Sequence, residues 1–339
     1  RLWETRHRPA LTRLKDQFRV TAVYDQVAAR AQTEAQALGA SVSLGLNTLI
    51  DRPDVDVLYL VAPQWFGLHA LELAERSSKP IYCALPLAQD LEGFLAIGER
   101  IRAKGQIFML ELARRYYPAT LRLRELLATH LGRPRLILGH NRVYGYDRYA
   151  EPGPATQISQ VPLPVDPGAY LVDWCRFVFN AEPVTVQGLS TVAVAESSAG
   201  RPAEPSDFET FVAEFPGGAL AQVSLARYHH TSWGEAHRFL PPPGFQVFAE
   251  RGAAWLELPD RIVWTESTGQ THDERLPFEP PIGEFLNEQF RRLVFGEPAF
   301  APTVDDALAM VSLLLDLRQS QSEGRKLSPR SSLPSREHP

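Results

Sequence analysis

The first 110 residues alternate short apolar runs with stretches of helical length, and this rhythm restricts the chain more than any other feature. Arg19 to Tyr24 is an apolar run with β-branched residues that stops at Asp25; residues 26–38 then read as an alanine-rich helix ended by Gly39. Val55 to Val61 is a second buried strand, broken at Ala62-Pro63 and followed by a helix around residues 67–76. Lys79 to Cys83 is another strand, closed by Pro86. Asp90 can cap a helix over 91–104 with Gly105 as its stop, and Gln106 to Leu110 is the next strand. Strands joined by helices of about 10–15 residues impose right-handed crossovers and a parallel sheet covered on both faces. Ligands of such a doubly wound sheet sit at the carboxyl ends of its strands, which sets Asp25, Pro63 to Gly67 and Ala84 to Pro86 along one crevice.

The dinucleotide-binding form of this fold begins with a strand and a glycine-rich turn, because backbone amides and a helix N-terminus hold the pyrophosphate. Residues 8–15 read as the helix that follows such a turn, with neither feature ahead of them. A further strand and Gly-rich loop of about ten residues is therefore expected to precede this sequence.

Beyond a helix over roughly 118–129 the texture changes. Arg135 to Tyr144 alternates like a strand, residues 145–165 form a Pro/Gly/Gln-rich loop, and Ala169 to Phe179 returns to helix. Strand-forming runs then crowd together at 184–194, 208–215, 219–228, 245–250, 253–258 and 261–265. Turn residues such as Pro216-Gly217-Gly218 between them point to a mostly antiparallel sheet. Residues 284–294 and 304–319 are amphipathic helices, and the charged, Ser/Pro-rich residues 322–339 read as a frayed tail.

A chain of 339 residues is comfortable for two domains, and 44% apolar with 22% charged residues supports a large core. The net charge of -5 offers no attraction to nucleic acid or anionic lipid. Two cysteines, Cys83 and Cys175, make no disulfide framework, and no spacing suits a metal. No apolar run approaches the roughly 20 residues of a membrane helix. A soluble protein of a reducing, cytoplasmic compartment is the expectation.

Several stretches fall in a known order. Asp54-Val55-Asp56-Val57 leads to Ala62-Pro63, and Lys79 to Pro86 reads KPIYCALP. Arg115-Tyr116-Tyr117-Pro118 follows, then Asp166 to Asp173 as DPGAYLVD. Gly244 to Leu258 looks like a sheet segment, and Asp305 to Arg325 like a closing helix with a Ser-x-x-x-Gly-Arg type of turn. In this order, over about residues 1–326, the chain resembles the glucose–fructose oxidoreductase/inositol dehydrogenase/rhizopine-catabolism (Gfo/Idh/MocA) family of NAD(P)-dependent oxidoreductases. The resemblance implies a Rossmann domain over residues 1–113 and an α+β substrate and oligomerisation domain with an open, mostly antiparallel sheet over 114–326. Residues 327–339 are left as a flexible tail. It also implies a homo-oligomer formed through the second domain's sheet.

Asp25 ends the second strand of the implied fold, where a carboxylate can accept from the ribose hydroxyls of NAD and repel the extra phosphate of NADP; capping the next helix is compatible with that role. The cofactor side would further comprise Ala62, Pro63, Gln64, Leu85 and Pro86. Family members usually read Glu-Lys-Pro where this chain has Ala84-Leu85-Pro86, and their lysine hydrogen-bonds or transfers a proton at the reacting alcohol. Leu85 can do neither. Family members also often read Pro-Asn-x-x-His where Pro63-Gln64-Trp65-Phe66-Gly67 stands here, and His69 comes two residues late, as a surface or packed helix residue. The family's Asp-x-Gly-x-His-x-x-Asp is Asp166-x-Gly168-x-Tyr170-x-x-Asp173, with tyrosine in the histidine's place. Asp166, Tyr170 and Asp173 share one helix face and can bind polyol hydroxyls, or else cap and pack that helix. Tyr170 can serve a carbonyl with a proton only beside a cation, for which Arg114, Arg115 and Arg176 are candidates. His229 and His230 point to opposite faces of a strand and make no joint metal site. Tyr144, Tyr146 and Tyr149 with Arg142 and Arg148 suit a substrate rim or an interface, and Cys83 reads as an inert core thiol.

Three readings follow. One is an NAD(P)-dependent oxidoreductase of a sugar, polyol or related carbonyl compound. Another is a dinucleotide- or sugar-binding regulatory protein that keeps the scaffold without the chemistry. The third is a reductase needing little protein acid catalysis, like the bilin-reducing relatives of this fold.

Overall fold

The computed structural model describes residues 2–61, 66–84, 87, 90–142, 167–191, 208–226 and 244–330. They divide into two compact units. Unit 1 draws on described residues up to Ala113 and on Glu279–Val311; unit 2 draws on those from Arg114 to Phe278 and from Ser312 onward.

Unit 1 carries the alternating strands. A π-helical turn, Trp3–His7, runs into α1, Arg8–Arg13. Then come β1 (Ala22–Val23), α2 (Ala28–Leu38), β2 (Ser41–Val42), α3 (Leu46–Ile50) and β3 (Leu58–Leu60). After them lie α4 (His69–Arg76), β4 (Ile81–Cys83), α5 (Leu91–Ala103) and β5 (Phe108–Leu110). All their pairings are parallel, β1 with β2 and β3-β4-β5 in that order. Gly39 closes α2 at φ +66°, and the Asp90 side chain caps α5 by accepting from Gly93 N at 2.7 Å.

The single sheet expected from the sequence is present as two parallel pieces. In a doubly wound order of 3-2-1-4-5-6, β1 and β3 flank the fold's first strand. No described residue fills that place, and residues 2–13 are helical. The strands are also shorter than the apolar runs that announce them. The two-residue β2 and five-residue α3 left no periodic signal to read.

Unit 2 begins at Arg114, inside the 3₁₀ turn Ala113–Tyr116, and continues with α6 (Pro118–Leu126), extended by a π turn to Leu131. Its sheet has eight strands: β6 (Pro134–Arg142), β7 (Thr185–Thr191), β8 (Phe208–Phe215), β9 (Ala219–Ala226), β10 (Gly244–Ala249), β11 (Gly252–Glu257), β12 (Arg261–Glu266) and β13 (Thr271–Arg275). Their order is β13-β12-β11-β10-β6-β9-β8-β7, antiparallel throughout except for β6 beside β9. The β8–β9 turn places Gly217 and Gly218 at φ +75° and +78°, a conformation glycine adopts without steric cost. α7 (Pro167–Phe179) packs on β6 and β9, and α6 on β11 and β12. Trp174 of α7 is fully buried, stacks on Phe245 of β10 at 4.0 Å and donates to Thr120 of α6 at 3.0 Å. Removing such a side chain costs about 3–5 kcal/mol.

The helices α8 (Ile282–Val294) and α9 (Val304–Glu323) complete the described elements. The chain is tied down past the expected fray at 322. Leu327 exchanges two 2.8 Å backbone hydrogen bonds with Val186, and Arg330 N donates to Asp316 at 3.0 Å. Paired backbone and a buried carboxylate hold this stretch despite its polar composition.

Candidate active site

On the cofactor side of unit 1, Asp25 lies just past β1 and is half-buried. Its Oδ1 accepts from Val27 N at 2.7 Å and so steadies the start of α2. Among the described residues nothing bonds Oδ2. Ala62, Pro63, Gln64, Leu85 and Pro86 lie outside the described residues. Gly67, at the position where histidine is often found, has φ +61°, and His69 is an exposed residue of α4 standing 3.9 Å from Glu72. Cys83 ends β4 fully buried, and burial pushes the Cys175 thiol strongly up, so it stays protonated.

Unit 1 also holds a buried charge that the sequence reading passed over. Glu111 follows β5 directly and is completely buried. Arg6 donates to its Oε1, Tyr82 donates to Oε2 at 2.8 Å, and His7 Nε2 stands 2.9 Å from Oε2. Burial alone opposes ionisation, but the contacts and charges of His7 and Arg6 with the Tyr82 hydrogen bond outweigh it and hold the carboxyl at about 2. The Tyr82 ring stacks on Tyr59 at 4.7 Å, and Tyr59 donates to Asn287 of α8. A charged residue inside the apolar run Phe108 to Leu112 was the available signal, because an ionised side chain is buried there only with partners.

The candidate chemistry of unit 2 gathers on α7. Tyr170 and Asp173 are both buried, one helical turn apart, whereas Asp166 is outside the described residues. Asp173 faces Arg115 in a forked ion pair, Nε to Oδ2 at 2.9 Å and Nη2 to Oδ1 at 2.5 Å, with Arg176 Nη1 3.5 Å away. Arg176 further grips Glu182, with Nε 2.7 Å from Oε2. Of the three cations that could serve Tyr170, the structure puts Arg114 against it, the guanidinium carbon 5.5 Å from the ring centroid. Among the described residues nothing accepts a hydrogen bond from Arg114 Nη1, which is sealed from solvent. Burial lowers this guanidinium's basicity, against the opposing pull of Tyr117 and Tyr170.

His229, His230, Tyr144, Tyr146, Tyr149 and Arg148, and the Arg142 side chain, fall outside the description. No group of three metal-ligating side chains occurs among the described residues. No described helix is long and apolar enough to cross a membrane.

Comparison with known proteins reaches both units. Residues 2–112 match an oxidoreductase family with an NAD-binding Rossmann fold, and residues 120–255 match the GFO/IDH/MocA C-terminal domain. The chain is 31% identical over 169 residues to the inositol 2-dehydrogenase of Acidothermus cellulolyticus, covering 48% of the chain and 46% of that protein, so it spans about half the length of that relative. An inositol 2-dehydrogenase of Rhizobium meliloti is 23% identical over 322 residues, 91% of each chain. The solved super-repressor mutant of Gal80p from Saccharomyces cerevisiae shares the fold at TM-score 0.78 and 18% identity, over 97% of this chain and 94% of that one.

Proposed function

The chain belongs to the Gfo/Idh/MocA oxidoreductase family, and on that premise we propose that it is an NAD(P)-dependent oxidoreductase of a sugar, polyol or related carbonyl compound. The observation that carries this reading is Tyr170, a buried phenol beside a guanidinium, at the position where the resemblance puts the family's histidine. A bound nicotinamide supplies the hydride acceptor or donor. Tyr170 takes the proton of the alcohol or returns one to the carbonyl. Asp166 orients substrate hydroxyls, while Asp173, already matched to Arg115, keeps α7 in place rather than meeting substrate. Asp25 holds the ribose and favours NAD over NADP through its negative charge, with Ala62, Pro63, Gln64, Leu85 and Pro86 along the cofactor. A cytoplasmic homo-oligomer joined through the eight-stranded sheet completes the proposal; two buried cysteines outside any disulfide suit a reducing compartment.

A second reading, a regulatory protein that binds dinucleotide or sugar without turning it over, draws on Leu85 in place of lysine and on the fold shared with the Gal80p mutant. Titration with NADH and NADPH, followed by nicotinamide fluorescence, tests what both readings share. Polyols and aldoses assayed at 340 nm then separate them. Binding with turnover supports the oxidoreductase, binding without turnover supports the regulator, and no binding by the full-length protein overturns the dinucleotide premise.

A further inference from the structure

We propose that Arg114 is a positioning residue for proton transfer: its guanidinium, held over the Tyr170 ring, supplies the positive charge that stabilises the Tyr170 phenolate, a charge that Leu85, standing where the family has lysine, cannot supply. The proposal rests on the oxidoreductase reading above for its purpose, but the charge assignment stands on geometry.

Among the described residues the buried arginines, Arg115 and Arg176, are matched to carboxylates. Arg115 forks onto Asp173, and Arg176 onto Glu182 with Nε to Oε2 at 2.7 Å. Arg114 breaks the pattern. It lies next to Arg115 on the same 3₁₀ turn, its Nη1 is inaccessible to water, and no described carboxylate bonds it. What it faces instead is the Tyr170 ring, at 5.5 Å. Arg114 as a whole is half-buried, but a guanidinium with one nitrogen sealed from water and unbonded is costly, and that cost falls when an anion forms beside it. Ionisation of a neighbouring phenol creates one; Tyr117 and Tyr170 both act on Arg114, and Tyr170 is the one whose ring the guanidinium faces.

The clamp explains how the pair is set. Asp173 fixes Arg115, and Tyr170 precedes Asp173 by one turn of α7, so locking Arg115 to the helix brings Arg114 over the ring. Among the described residues, other ionisable groups on the elements around α7 are Asp173, Cys175 and Arg176 on the helix, Arg115 on the turn, Tyr117 at the start of α6 with Arg122, Arg124 and Glu125 along it, and Arg135 and His140 on β6. On α7 itself, among the described residues, the one carboxylate is Asp173, and it is shared between Arg115 and Arg176.

Arginine stays protonated in proteins and therefore acts here as a fixed charge, never as the proton carrier. In oxidation the substrate's C–H and O–H bonds break and its C=O bond forms. The hydride goes to the dinucleotide oxidant, and the proton goes to Tyr170 Oη, which must be ionised to receive it. Reduction reverses each transfer.

The test is a pH titration of the whole protein carrying tyrosine labelled with ¹³C at Cζ, with Tyr170→Phe identifying the Tyr170 resonance. Arg114→Met is expected to raise the Tyr170 midpoint by about one pH unit or more, the scale of one neighbouring charge. Arg114→Lys, which keeps the charge and guards against a folding defect, is expected to retain most of the wild-type midpoint. An unmoved midpoint in a folded Arg114→Met protein overturns the proposal, as does a Tyr170 that stays protonated in both proteins at the highest pH the fold survives. Because this readout needs neither cofactor nor turnover, its failure is distinct from failure of the dehydrogenase reading. In an active enzyme the basic movement should recur in the pH profile of kcat, with KM little changed.

Discussion

Arg115 and Asp173 meet as a buried fork, two nearly parallel N–H···O contacts joining the turn after unit 1's last strand to the middle of α7. With Asp173 cut to alanine, Arg115 keeps its burial and loses the fork, which costs about 3–5 kcal/mol for a broken buried pair. Urea unfolding of Asp173→Ala should show that loss. Arg115→Lys, with Asp173 kept, should retain only part of the pair's contribution, since an ammonium cannot bond both oxygens in the fork. A change below about 1 kcal/mol, the scale of a surface pair, would contradict the assignment.

Glu111 makes stability sensitive to acid. Its carboxyl sits at about 2 in the fold, against roughly 4.3 for an unperturbed glutamate. A depressed folded value means the unfolded chain binds the proton first. The stabilisation is therefore complete above about pH 4.3 and drains away as the pH falls to about 2, amounting to about 3 kcal/mol. Equilibrium unfolding of the wild type between pH 6 and about pH 3 should show this slope, and Glu111→Gln should flatten it while lowering stability at neutral pH.

The carboxylate of Asp25 predicts cofactor choice. Asp25→Ser removes the charge that repels a 2′-phosphate, while its hydroxyl can still hydrogen-bond the ribose. Fluorescence titrations should find the ratio of NADPH to NADH affinity raised by about tenfold, the equivalent of about 1.4 kcal/mol. An unchanged ratio would remove Asp25 from the ribose site.

Leu85→Lys should raise polyol dehydrogenase activity. The guanidinium over the Tyr170 ring supplies charge, but an ammonium adds a hydrogen-bond donor at the alcohol, and a positioned proton-handling group contributes typically about 10²–10⁴-fold. A rise of at least about tenfold in kcat/KM at 340 nm is expected, because part of the charge is already in place. A robust wild-type rate left unchanged would show that leucine is no handicap.

Close packing of α8 on α1 makes Gly283 intolerant of a side chain. A Cβ there would stand 2.5 Å from the Arg6 carbonyl oxygen and 3.1 Å from Ala10 Cβ. Gly283→Val should lower thermal stability by the about 1–3 kcal/mol of an overpacked contact, read as a fall in Tm.

The sequence by itself determined the parallel alternation of unit 1, the antiparallel character of unit 2 and the family, because hydrophobic period, Gly stops and strand-end residues are local signals. It also named Tyr170 and Asp173 as neighbours on a helix face, since 3.6-residue periodicity is written in the chain. Only the tertiary structure decided which arginine each one meets. Arg114 and Arg115 are adjacent and chemically identical, and their division between a phenol ring and a carboxylate follows from where a 3₁₀ turn sets them against α7. The same holds for Glu111, whose partners Arg6 and His7 lie more than 100 residues earlier in the sequence. Charge pairing at such separation has no period and leaves no local trace; it exists only once folding has removed the water that would otherwise solvate each charge.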